Sequence, residues 1–87
     1  MTGRQMRAAR ALLRWRAQDL ADTAHVGLAT IQRAEKEDGS AQMNRSTEDA
    51  VRRVLEAAGV EFIEPNGGGE GVRMKTPQSS AKGSTDA

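Results

Sequence analysis

Residues 18–35 constrain what this chain can fold into more than any other stretch. They read Gln-Asp-Leu-Ala-Asp-Thr-Ala-His-Val-Gly-Leu-Ala-Thr-Ile-Gln-Arg-Ala-Glu, two short helical patterns joined by a break of three or four residues. Leu20, Ala21 and Ala24 fall at i, i+1 and i+4, one face of about two helical turns. Val26 interrupts that pattern, and a second apolar face follows at Ile31 and Ala34, with Thr30, Gln32 and Arg33 between. Helices this short bury too little surface to stand alone. They are therefore expected to cross at a steep angle around Leu20, Val26 and Ile31. That is helix-turn-helix geometry, whose second helix fits a DNA major groove ~12 Å wide.

The chain has 87 residues, enough for one domain that buries roughly 60% of its unfolded surface. Trp15 and Phe62 are its only aromatic residues, so closely packed short helices are favoured over a large sheet core. The absence of cysteine excludes disulfides, a thiolate nucleophile and cysteine zinc sites. With His25 the only histidine, no histidine pair can hold a metal, and a turn residue is the expected role for it. Glu37-Asp38 and Glu48-Asp49 stand at an expected helix end and helix start, which suits capping better than paired-carboxylate catalysis. The chain is thus not expected to be an enzyme, nor to need a cofactor or metal. No apolar run approaches the ~20 residues of a membrane span, and no apolar signal-peptide segment stands near Met1. A cytoplasmic protein without a membrane partner is expected.

Net charge at pH 7 is +1, but its distribution is uneven. Arg4, Arg7, Arg10, Arg14 and Arg16 place five positive charges and no negative one in the first sixteen residues, against eight basic and twelve acidic residues in the remainder. A one-sided basic segment is the footprint of a phosphate-binding face, or else a solvated helix surface rich in arginine.

Along the chain, Thr2 followed by Gln5 forms a capping box that opens a helix from Gly3 to about Trp15, with Met6, Ala9 and Leu13 inward. Glu37-Asp38-Gly39-Ser40 is a stop signal that begins a polar loop lasting to Arg45. Ser46 with Asp49 is a second capping box, opening a helix with Val51, Val54, Leu55 and Ala58 at helical spacing, and Gly59 supplies a left-handed ending. Beyond it the period falls to two. Residues 60–64 and 71–75 flank Pro-Asn-Gly-Gly-Gly-Glu, which predicts a β-hairpin. The glycines lack the following helix and Lys-Ser/Thr pair of a phosphate-binding loop. Residues 76–87 have no apolar periodicity and are expected to be a disordered tail. The division is therefore 1–58, a helical domain; 59–75, a hairpin; and 76–87, a tail.

Between Arg10 and Glu35 the sequence resembles the lambda-repressor-like Cro/C1-type (xenobiotic-response-element-type) helix-turn-helix regulators. Leu13, Leu20-Ala21, Ala24, Val26, Ala29-Thr30-Ile31 and Glu35 stand where that family places its core and turn residues, and the likeness spans 1–58. It implies a mainly α, compact four-helix bundle, and a sequence-specific transcriptional regulator, a homodimeric repressor on a palindromic operator in double-stranded DNA. It implies that Leu28, Ala29, Gln32 and Arg33 read bases, and that Arg10, Arg16, Gln18, Gly27, Thr30, Lys36 and Arg45 hold phosphates. It also implies that Arg10 pairs with Glu35. The sequence departs from the family pattern at Arg16, Ala17, His25, Gly27 and Leu28. Those departures keep open a protein-interaction module of the same fold, an antitoxin or anti-activator, that grips a protein partner through Leu28 and the hairpin.

In the hairpin, Val60 and Phe62 share one face of the first strand, and Val72 and Met74 one face of the second. Four short helices are expected to be too small to cover both pairs. Val60, Phe62, Val72 and Met74 are therefore assigned to a twofold interface, with a hairpin folded back on its own helices as the alternative.

Overall fold

The computed structural model describes residues 1–38, 41 and 43–76. Its elements are α1 (Gly3–Leu13), α2 (Ala17–Ala24), α3 (Leu28–Lys36), α4 (Arg45–Ala57), β1 (Val60–Ile63) and β2 (Gly71–Met74). No helix among the described residues is long and apolar enough to cross a membrane. Gly39 and Ser40 of the expected stop signal, and nearly all of the expected tail, lie outside the described residues.

Local chemistry sets the helix boundaries. At α1 both halves of the capping box form: Gln5 N–H donates to Thr2 Oγ1 at 3.0 Å, and Thr2 N–H to Gln5 Oε1 at 2.9 Å. The helix stops at Leu13, short of the expected Trp15, because Arg14 turns left-handed (φ 60°). α2 ends in the same way at His25 (φ 59°), so a three-residue break, His25-Val26-Gly27, separates α2 from α3. α4 begins earlier than expected. Asn44, not Ser46, is the cap: its Oδ1 accepts from Thr47 N–H at 2.8 Å and from Ser46 Oγ at 3.0 Å. A carboxamide one residue before the first turn satisfies that orphan donor, and Ser46 only supports it.

One core draws on every helix and the first strand. Met6, Ala9, Leu20, Ala21, Ala24, Ile31, Ala34, Val51, Leu55 and Val60 are all buried. β1 and β2 pair antiparallel, Val60 opposite Met74 and Phe62 opposite Val72. Side chains directly opposite share a face, so all four apolar residues lie together. This face folds back on the chain's own helices, the alternative to a twofold interface. α1 and α4 cover it: Val60 is fully buried, and Phe62, Val72 and Met74 pack against the core. The Arg52 guanidinium closes over Phe62, 4.9 Å from its ring centroid.

Among the described residues the edges of the hairpin have no strand partner. Lys75 N–H donates to Gly59 C=O at 2.8 Å, which fixes the alternation of the ladder. Gly59/Lys75, Glu61/Arg73 and Ile63/Gly71 are then the hydrogen-bonded pairs, and the backbone groups of Val60, Phe62, Val72 and Met74 point away from the partner strand.

Candidate functional site

α3 divides sharply into two faces. Ile31, Ala34 and Glu35 are buried, whereas Ala29, Gln32, Arg33 and Lys36, at i, i+3, i+4 and i+7, are exposed. Four of the residues assigned to bases or phosphates thus share one open stripe. Leu28 and Thr30 flank it half-buried, and Leu28 packs against the core. An apolar residue at the start of α3 is explained by that packing, which leaves Leu28 only partly available to any ligand.

The buried face of α3 is fastened to α1. Arg10 meets Glu35 in a bidentate pair, Nε to Oε2 and Nη2 to Oε1, both at 2.7 Å. Its Nη1 donates to Trp15 C=O at 3.0 Å, so the guanidinium also holds the end of α1. The hydrogen bonds to Glu35, opposed by burial, raise the Arg10 pKa above its ordinary value. Only 8% of the Glu35 side chain is exposed, against 20% for Arg10. One helical turn earlier, Arg7 donates through Nη1 to Glu35 C=O and through Nη2 to Asp38 Oδ1. Arg7 therefore caps the last turn of α3, where backbone carbonyls lack helical partners.

The two helices approach closely at Gly3. A Cβ there would stand 2.7 Å from Ala34 C=O and closer still to Glu37 C=O. Only glycine lets the first turn of α1 lie against the last turn of α3 at this spacing.

The expected basic face on the N-terminal segment is largely neutralised by folding. Arg4 reaches Glu70 at 2.7 Å, Arg7 Asp38 at 2.5 Å, Arg10 Glu35 at 2.7 Å and Arg16 Asp19 at 2.9 Å. Among the described residues Arg14 alone of the five lacks a carboxylate partner. The remaining described cations without one include Arg33, Lys36 and Arg45. Arg16 is the N-cap of α2, and Asp19 accepts both its backbone N–H at 2.8 Å and its guanidinium. Those bonds hold the Asp19 carboxyl below the usual range. Gln18 is likewise engaged, Nε2 donating to Asp22 Oδ1 at 2.7 Å. Gly27 caps α3 with no side chain of its own. Among the described residues nothing accepts the N–H groups of Gly27, Leu28 or Ala29. That end of α3 is electropositive and open.

The sequence assigns Gln5 only its capping role, and it does not reveal the Gln5 tie to the hairpin, the close approach at Gly3 or the Arg7 cap on α3. Buried Gln5 donates through Nε2 to Ile63 C=O at 3.3 Å and Gly71 C=O at 3.0 Å, tying the hairpin to α1. The one available signal was a polar residue beside Met6 on the inward stripe. Comparison of the chain with protein-family models, with curated proteins and with solved structures found no match in any of the three.

Proposed function

We propose that the chain is a transcriptional regulator of the lambda-repressor-like, Cro/C1 type, with α2 and α3 as its helix-turn-helix and α3 laid in the major groove of double-stranded DNA. The observation that carries this reading is the division of α3. One face is clamped to α1, and the other offers Ala29, Gln32, Arg33 and Lys36 as a continuous exposed stripe. Arg33 is the base reader, suited to the O6 and N7 atoms of guanine, with Gln32 beside it for adenine and Ala29 for a thymine methyl. Lys36, Arg45 and the open N–H groups at Gly27 hold phosphates. Arg10, bound to Glu35 and Trp15, orients α3 and is at most a minor phosphate contact.

The regulator acts as a homodimeric repressor in this reading, and the outward backbone groups of the hairpin are the surface through which two copies pair. Symmetric pairing would set two α3 helices roughly 34–36 Å apart, one DNA turn. The alternative of a protein-gripping module draws its support from Leu28, and the partial burial of that side chain weakens it.

Selection of bound duplexes from a random pool, followed by titration, tests the reading. Arg33→Ala is expected to relax preference at one base pair per half-site by about 1–3 kcal/mol. Lys36→Ala is expected to weaken all sequences alike and to reduce the salt slope by about 1 for each lost contact. A pool from which no sequence is enriched, with affinity insensitive to salt, would overturn it. Sedimentation of the full chain is expected to give a dimer, and a monomer at DNA-saturating concentration would remove the dimer from the reading.

A further inference from the structure

The segment between β1 and β2 plays no part in the core. Pro65, Asn66, Gly67, Gly68 and Gly69 are all exposed. Gly67 has φ +84°, and a Cβ placed on it would meet nothing within 4 Å. Among the described residues no hydrogen bond engages the Gly67 N–H, and none engages the Asn66 carboxamide. The chain holds one other asparagine, and it is placed oppositely. Asn44 accepts from Thr47 N–H at 2.8 Å and from Ser46 Oγ at 3.0 Å, and Arg45 behind it begins a helix.

We propose that Asn66 is a site of self-modification, converted to aspartyl and isoaspartyl forms through a cyclic imide with Gly67. Hydroxide removes the Gly67 amide proton, and the nitrogen attacks Asn66 Cγ. A C–N bond forms, the Cγ–NH2 bond breaks, and the amino group leaves as ammonia after taking a proton from water. Water then adds to either ring carbonyl. Opening at one returns a normal aspartate, and opening at the other places the extra methylene in the main chain as isoaspartate. Glycine at 67 is what permits the attack, because no side chain blocks the approach. Each event replaces a neutral amide by a carboxylate, so the net charge falls from +1 to zero. The new carboxylate joins Glu64 and Glu70 in the same loop. Loss of net charge favours self-association. The paired residues, Val60–Ile63 with Gly71–Met74, lie outside the altered bond, so the fold is retained.

The test is incubation of the full chain in mildly alkaline buffer, with peptide mass mapping and labelling by an isoaspartyl methyltransferase. Asn66 is expected to gain one mass unit while Asn44 does not, with both aspartyl and isoaspartyl products and a rate rising with hydroxide. Asn66→Gln is expected to abolish labelling of the peptide that carries residue 66, with unchanged circular dichroism, while any isoaspartate from the Asp38-Gly39 pair persists. Urea is expected to leave the Asn66 rate nearly unchanged, since the loop is already open. Equal loss at Asn44 and Asn66, aspartate without isoaspartate, or strong acceleration at Asn66 in urea would each overturn the proposal.

Discussion

α1 and α3 both carry cationic side chains, and the fold treats them in opposite ways. Arg4, Arg7 and Arg10 of α1 each reach a carboxylate from a later part of the chain, whereas Arg33 and Lys36 of α3 have none among the described residues. The first set is spent on assembly: on the hairpin, on the last turn of α3 and on Glu35. The second set remains at the surface. A run of like charge in sequence therefore says where a chain needs counter-charges as readily as where it seeks a polyanion. The partner of each cation, not the local density of cations, marks an open surface.

Removing an assembled arginine is expected to have the largest effect. Arg10→Met leaves the Glu35 carboxylate nine-tenths buried and unpaired. A cost of about 3–5 kcal/mol is expected, the range for breaking a buried ion pair from one side. Adding Glu35→Leu is expected to recover part of it, because two apolar side chains of similar size can replace the pair. Urea unfolding of the two single variants and the double variant closes the cycle, and additivity within about 0.3–0.5 kcal/mol would mean that the residues do not interact.

Gly3→Ala attacks the same junction without touching a charge. The added methyl group meets two backbone carbonyls at the end of α3, and neither can swing aside as a side chain could. A loss of about 1–3 kcal/mol is expected, within the range for overpacking, despite the better helix propensity of alanine. Thermal unfolding measures it. A variant as stable as the parent would show that α1 and α3 do not approach so closely.

The assembled pairs also predict a direction with pH. Arg7 holds the Asp38 carboxyl below its ordinary value, and Arg73 does the same for Glu61. Glu70 is lowered by its own backbone N–H and by Arg4. A carboxyl whose folded pKa is depressed binds fewer protons folded than unfolded as acid is added. Its stabilisation is complete above the ordinary carboxylate pKa and is lost as pH falls through the folded value. Stability is thus expected to be flat from neutrality to about pH 5 and to decline below it. Each of these pairs is surface-placed and individually small, and Arg4→Gln is expected to soften the decline only slightly.

Legibility in the sequence divides along the same line. Features governed by a few adjacent residues could be read directly: the Thr2/Gln5 box, the break at His25-Val26-Gly27, and the hairpin flanked by period-two residues. Ser46 reads as a cap in sequence, but Asn44 is as good a cap, and only the path of the preceding chain makes Asn44 the one used. The Gly3, Arg7 and Gln5 contacts were illegible for a different reason. Each joins residues far apart in sequence, and nothing local distinguishes Arg7, which caps α3, from Arg14, which pairs with no carboxylate among the described residues. The pairing of Arg10 with Glu35 was reachable only through a family resemblance, since 25 residues separate them. The exposed stripe of α3 was legible because helical period alone places Gln32 and Arg33 opposite Ile31 and Ala34.

The smallest expected effect uses the two left-handed caps. Arg14 and His25 both hold φ near +60° at the end of a helix, a conformation that costs an L-residue with a Cβ roughly 1–2 kcal/mol. Glycine removes that strain, but its freer unfolded chain returns about 0.4–1 kcal/mol of the gain. His25→Gly and Arg14→Gly are each expected to stabilise by about 0.5–1 kcal/mol, as the difference of those two figures. Under the proposed DNA-binding function, their effects on DNA affinity then separate. His25→Gly changes no cation and leaves the α3 stripe intact, so affinity and salt slope are expected to stay as they are. Arg14→Gly removes the one arginine of the N-terminal segment without a carboxylate partner among the described residues. If surface openness rather than sequence density marks the polyanion-binding cations, Arg14→Gly is expected to lower the salt slope. The same change at Arg4, as Arg4→Gln, is expected to leave it unaltered. A larger slope change from Arg4→Gln than from Arg14→Gly would reverse the contrast between assembled and open cations.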